Sequence, residues 1–116
     1  DALAVGYNNL NFAYSADTGK PVEGIQVVPL DLDGNGEIDS QESFYETKAD
    51  LMQAIAEGRY PSPPSRALNL VTKGNPKDLT EAFILWVMTD GQQYLEEGGY
   101  IQLSDEQLNE GLAKLE

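Results

Sequence analysis

Short apolar runs separated by turn-forming residues dominate the first third of the chain. Residues 3–7 and 10–14 flank Asn8-Asn9, a pair that tolerates positive φ, and the spacing predicts two strands joined by a turn. Asp17, Gly19 and Pro21 break the chain before residues 25–30, a β-branched run that predicts a further strand ending at Pro29. A charged loop over 31–42 then runs into a helix that ends at Ala56. Phe44, Leu51, Met52 and Ile55 fall at helical spacing there, Asp39 and Glu42 are set as a capping box, and Gly58 serves as C-terminal cap.

The proline-rich stretch 60–65 predicts a stiff extended strap, and 67–72 alternates as a strand. Asn75-Pro76 reads as the cap and first position of another helix, broken near Thr89, where Thr89 and Gln92 form a second capping box. Gly98-Gly99 ends the shorter helix that follows. Ser104 caps a last amphipathic helix carrying Leu108, Leu112 and Leu115. Trp86, among Phe83, Ile84 and Val87 in a helix apolar on most sides, is expected in the core; Tyr7, Tyr14 and Tyr60 are expected to pack half-buried.

Composition narrows the chemistry. Twenty Asp and Glu against seven Lys and Arg give a net charge of −13, with no His and no Cys. Zinc sites of the usual kind, Cys/His pairs, Ser-His-Asp triads and disulfides all lack their residues. Phosphate neutralisation needs clustered bases, so no nucleic-acid partner is expected. A hydrophobic share of 41% suffices for a core. No stretch approaches the ~18 apolar residues of a membrane span. A start at Asp1 is what a processed or excised chain shows.

The sharpest pattern is Asp31-Leu32-Asp33-Gly34-Asn35-Gly36-Glu37-Ile38-Asp39-Ser40-Gln41-Glu42, which matches the twelve-residue EF-hand calcium loop at its diagnostic positions. Calcium is a hard cation that takes six to eight oxygens. Asp31, Asp33 and Asn35 offer side-chain oxygens on alternate residues, Glu37 its backbone carbonyl, Asp39 a direct or water-mediated oxygen, and Glu42 a bidentate carboxylate. Gly36 permits the bend. Four carboxylates crowded together repel one another strongly without a cation. The incoming segment is β-branched and no second loop follows, so the expected cofactor is one structural Ca2+ rather than a sensor pair. The affinity range of extracellular modules, ~10⁻⁴ to 10⁻³ M, suits a periplasmic, cell-envelope or extracellular setting.

Four further stretches carry a resemblance. They are Ala4-Val5-Gly6-Tyr7, Gly58-Arg59-Tyr60-Pro61 with Arg66-Ala67-Leu68, Ala82-Phe83-Ile84-Leu85-Trp86-Val87 with Asp90-Gly91-Gln92-Gln93, and Gly99-Tyr100-Ile101-Gln102-Leu103. In this order they resemble the C-terminal half of the phosphate-binding protein of phosphate ABC transporters, with the calcium loop inserted. The resemblance implies an α/β chain, part of a type 2 periplasmic-binding-protein fold with a short mixed sheet and packed helices. It divides the chain into the end of one lobe over 1–60, a crossing strap over 61–72 and helices of the return lobe over 73–116. The implied function is non-enzymatic: the solute-binding component of a phosphate or oxyanion importer. Its partners would be the ABC transporter permease and, in the intact protein only, phosphate or a similar oxyanion.

The family's oxyanion motif lies upstream of this region, so no solute ligand is assigned here. If the chain is a fragment, residues 84–88 carry apolar surface that the missing lobe covers, and the isolated chain self-associates or swaps elements into a dimer. A second reading is an extracellular calcium-stabilised adhesion or interaction module. Arg59 and Arg66, which flank the strap, serve either an inter-lobe or anion role or ordinary ion pairing with the acidic surface.

Overall fold

Helix is the only regular secondary structure among the described residues, 4–115 of this computed structural model. The helices are α1 (Leu10–Ala13), α2 (Lys48–Ala56), α3 (Asp78–Met88) and α4 (Asp105–Leu112), with a 3₁₀ turn at Asp90–Tyr94. The chain divides into two units, Asp1–Ser65 and Arg66–Glu116. The expected α/β fold with a short mixed sheet is thereby corrected. The β pairing found among the described residues is one isolated antiparallel bridge, Tyr14 with Pro21.

Local chemistry accounts for each missing strand. Residues 10–13 form a helical turn because Asn9 caps them, its side chain accepting the Asn11 N–H at 2.9 Å. The pair expected to turn a hairpin therefore starts a helix. Over 25–30, the Ile25 N–H turns back to the Val22 carbonyl at 3.2 Å, the Leu30 N–H goes to the Tyr45 hydroxyl at 3.2 Å, and Pro29 has no N–H. Few donors remain for a ladder. Residues 4–7 and 67–72 hold no strand either, and Val5 and Val71 are largely exposed. Residues 1–3 lie outside the described residues.

In the first unit, α2 begins at Lys48, later than the expected start, because Thr47 supplies the cap: its hydroxyl accepts the Asp50 N–H at 3.1 Å. It ends as the sequence predicts. Gly58, with φ 72°, gives its N–H to the Ile55 carbonyl at 3.1 Å, and Arg59 gives its N–H to the Ala54 carbonyl at 2.8 Å. That is the paired hydrogen bonding of a Schellman motif, with glycine in the left-handed position. Tyr14, Phe44, Leu51 and Ala54 form the buried centre, with Leu10, Ala13, Val27, Tyr45, Ile55 and Tyr60 packed against it. The Phe44 and Tyr45 rings stack at 4.7 Å, and Tyr60 meets both edge-on at 6.3 and 6.4 Å. Residues 61–65 close into a turn rather than run extended, the Ser65 hydroxyl donating to the Pro61 carbonyl at 3.1 Å.

In the second unit, α3 starts two residues later than Asn75-Pro76 predicts. Lys77 is the N-cap and makes no side-chain cap bond, and Asp78 opens the helix with a positive φ of 53°. The break at Thr89 occurs as expected, although the Thr89 hydroxyl donates to the Leu85 carbonyl at 2.7 Å instead of capping the next turn. Gln92 ties the unit together, donating to the Val87 carbonyl at 2.7 Å and accepting the Leu103 N–H at 3.1 Å. The Ser104–Gln107 capping box of α4 is present in full. Trp86 is corrected from core to surface. It is 45% exposed and stacks between Phe83 at 6.3 Å and Tyr94 at 6.1 Å.

Candidate metal centre

Loop 31–42 lies within the first unit and is wound by its own side chains. Asp31 accepts three backbone N–H groups, from Gly34 at 2.7 Å and Asn35 at 3.2 Å on Oδ1 and from Gly36 at 2.8 Å on Oδ2. Asp33 Oδ1 accepts the Asn35 N–H at 3.0 Å, and Asn35 Oδ1 accepts the Glu37 N–H at 2.7 Å. Such side-chain-to-backbone bonds make the chain coil around the carboxylates. Gly34 and Gly36, with φ of 74° and 87°, occupy backbone positions a β-carbon would strain.

Glu42 closes the ring from the far side. It is 4% exposed, and its Oε1 accepts the N–H groups of Leu32 at 2.5 Å and Asp33 at 3.3 Å, while Oε2 accepts that of Asp39 at 3.3 Å. The outcome brings carboxylate oxygens of Asp31, Asp33 and Glu42 within 4.8 Å of one another. Two oxygens bound to one calcium at 2.3–2.6 Å lie at most about 5 Å apart, so the spacing fits a shared cation. These are hard, anionic donors, and Asp31 Oδ2, Asp33 Oδ1 and Glu42 Oε2, which each accept one N–H, still have a lone pair to offer. The cluster can chelate a divalent ion.

The other expected ligands stand differently. Asp39 lies outside this trio: its Oδ1 accepts the Gln41 N–H at 2.7 Å and its own N–H is held by Glu42. With its reciprocal Glu42 bond it forms a turn, not the helix start that the capping-box spacing predicts. Asn35 is in the loop, with its amide nitrogen donating to Asp33 Oδ2 at 3.0 Å. Glu37 is exposed, and its part in the expected set is a backbone carbonyl. Ile38, the apolar position of the motif, is 41% exposed and lines a shallow concavity with Pro29 and Tyr45.

Electrostatics follow the hydrogen bonds. The N–H of Gly36 is the main influence holding the Asp31 carboxyl below its ordinary value of 3.8, helped by Gly34 and partly opposed by desolvation. Arg59 lies away from this chemistry. It pairs with Glu57 at 2.7 Å and sits 5.2 Å from the centre of the Phe44 ring. Tyr45 is a residue that sequence reasoning left out. Its hydroxyl holds Leu30, the residue before Asp31, and its one sequence signal was the Phe44-Tyr45 pair one residue beyond the loop.

Comparison with models of protein families, with curated proteins and with solved structures finds no match. The resemblance to the phosphate-binding protein is corrected by the fold. A type 2 binding-protein lobe is built on a sheet, and the described residues contain none. The roles inferred from it go with it: phosphate or oxyanion carriage, the ABC transporter permease as partner, and self-association to replace a missing lobe. The acidic cluster accounts for a metal ion in general and does not single out an adhesion or interaction module. Among the described residues no helix is long and apolar enough to cross a membrane.

Proposed function

We propose that loop 31–42 binds one calcium ion, which holds the first unit in its folded form. The observation that carries this reading is the convergence of the Asp31, Asp33 and Glu42 carboxylates within 4.8 Å, inside a sequence that matches a calcium loop. The proposed ligand set is Asp31, Asp33, Asn35, the Glu37 carbonyl, Asp39 directly or through a water, and a bidentate Glu42. Calcium is favoured over magnesium because a ring of carboxylate, amide and carbonyl oxygens with a bidentate Glu42 suits seven ligands better than a strict octahedron at 2.0–2.1 Å.

The role is structural and non-enzymatic. Like charges brought this close destabilise the folded loop, and a divalent cation reverses the sign of that interaction. A ligand bound only by the folded state stabilises it in proportion to the logarithm of its concentration, about 2.7 kcal/mol at a hundred times Kd. The first unit gains most from this, since its buried centre is four side chains. We infer a setting in the cell envelope or outside the cell, where calcium is plentiful enough to fill a single loop of the extracellular affinity class.

Calorimetric titration of the EDTA-stripped chain tests the reading. One calcium per chain, a melting temperature that climbs with calcium, and loss of both in Asp31→Asn are the expected results. A flat calcium isotherm overturns it.

A further inference from the structure

Cation loops work only if their two stems are held at the right separation, and here the stems run into different parts of the first unit. The outgoing stem is short. Glu42 is followed by a tight turn in which the Phe44 N–H meets the Glu42 carbonyl at 3.1 Å, so the ligand residue leads directly into the buried Phe44 ring. The incoming stem, ending at Leu30, packs half-buried Val27 against the buried centre three residues before its end. It is fixed from across the loop by the Tyr45 hydroxyl, which accepts the Leu30 N–H at 3.2 Å.

Tyr45 is itself held on three sides. Its ring stacks on Phe44 at 4.7 Å and meets Tyr60 edge-on at 6.4 Å, and its backbone carbonyl accepts the hydroxyl of buried Tyr14 at 2.9 Å. One side chain thereby joins the residue before Asp31 to the segment three residues after Glu42. We infer that Tyr45 is a positioning residue for the cation site: its hydroxyl sets the gap between Asp31 and Glu42 and so raises affinity without touching the ion. The inference rests on the calcium reading and deepens it, since it names a determinant of affinity outside the ligand set. Partners that orient ligands act on metal affinity in this way. Here the contact is one step further out, through backbone, so the effect expected is that of a single neutral hydrogen bond.

Tyr45→Phe keeps the ring packing and removes only the hydroxyl. Calcium titration under conditions where the variant is folded should show affinity lowered about three- to tenfold. Tyr14→Phe is the control. It removes the hydrogen bond to the Tyr45 carbonyl but leaves the Leu30 contact, so it should lower thermal stability while changing affinity less than about twofold. A merely structural Tyr45 predicts the opposite pattern, with both variants losing stability and neither losing affinity. Hydrogen exchange of the Leu30 amide in the unaltered chain gives a readout that needs no variant. Its protection should rise on adding calcium. Unchanged exchange, or unchanged affinity in Tyr45→Phe beside a wild type that binds, overturns the inference and leaves the calcium reading standing. Failure of the wild type to bind overturns both.

Discussion

The Glu42 carboxylate accepts the backbone N–H of Leu32, ten residues earlier in the chain, at 2.5 Å. The loop is thus closed by the same group that is proposed to close the coordination sphere. Glu42→Gln keeps a hydrogen-bonding side chain of equal size and removes one anionic oxygen pair. Calcium affinity should fall more than about tenfold, since losing a direct ligand exceeds the loss of an outer partner. The calcium-induced rise in melting temperature should shrink with it, read by circular dichroism with and without EDTA.

Tyr14 gives the first unit a sensitivity to alkali. Burial, with smaller contributions from Tyr45, Asp50 and Tyr60, raises its phenol from 10.0 to about 12. A raised folded value means the folded state keeps its proton after the unfolded chain has lost it. The stabilisation is therefore complete below pH 10.0 and is lost as pH climbs from there to about 12. Melting temperatures across this window should drop more steeply for the wild type than for Tyr14→Phe, and parallel curves would contradict the assignment.

Two glycines of the second unit should respond oppositely to alanine. A β-carbon on Gly91 would stand 2.9 Å from the Trp86 carbonyl oxygen and 3.2 Å from its ring, both poorly able to yield. Gly91→Ala should therefore destabilise by about 1–3 kcal/mol. On Gly111 the clash is with the Met88 methyl, the mobile end of a flexible side chain. Once that rotates, the gain in helix propensity remains, and Gly111→Ala should stabilise α4 by about 0.5–1 kcal/mol. Thermal melts followed by Trp86 fluorescence separate the two.

Thr47 both accepts the Asp50 N–H at 3.1 Å and donates to its carboxylate at 2.6 Å. Thr47→Ala should cost about 1 kcal/mol in denaturant unfolding, and Thr47→Ser should restore most of it.

How much of this was legible beforehand depended on how far each feature's partners lie along the chain. The Ser104–Gln107 box and the Gly58 cap were readable because their partners sit within six residues, whereas the break at Thr89 falls where expected without the Thr89–Gln92 box that predicted it. The trio of Asp31, Asp33 and Glu42 was readable for a related reason: a fixed-length loop brings alternate residues together. The strands were misread. Residues 25–30 have the right side chains, but a strand exists only with a neighbour, and Tyr45 claims the Leu30 donor from fifteen residues away. Asn8-Asn9 could turn a hairpin or cap a helix, and nothing local decides between them. Trp86 was placed inside because its neighbours are apolar, yet the unit packs too few elements against α3 to cover it.

The coiling of residues 31–37 around Asp31 has a kinetic meaning. Three amides point at that carboxylate and hold the bend through hydrogen bonds internal to the chain. An incoming calcium ion would find the chain bent to shape and would have little to rearrange except its own hydration shell. Uptake in a stopped-flow experiment should then run close to the diffusional limit, with variants in the loop differing chiefly in how quickly they let the ion go.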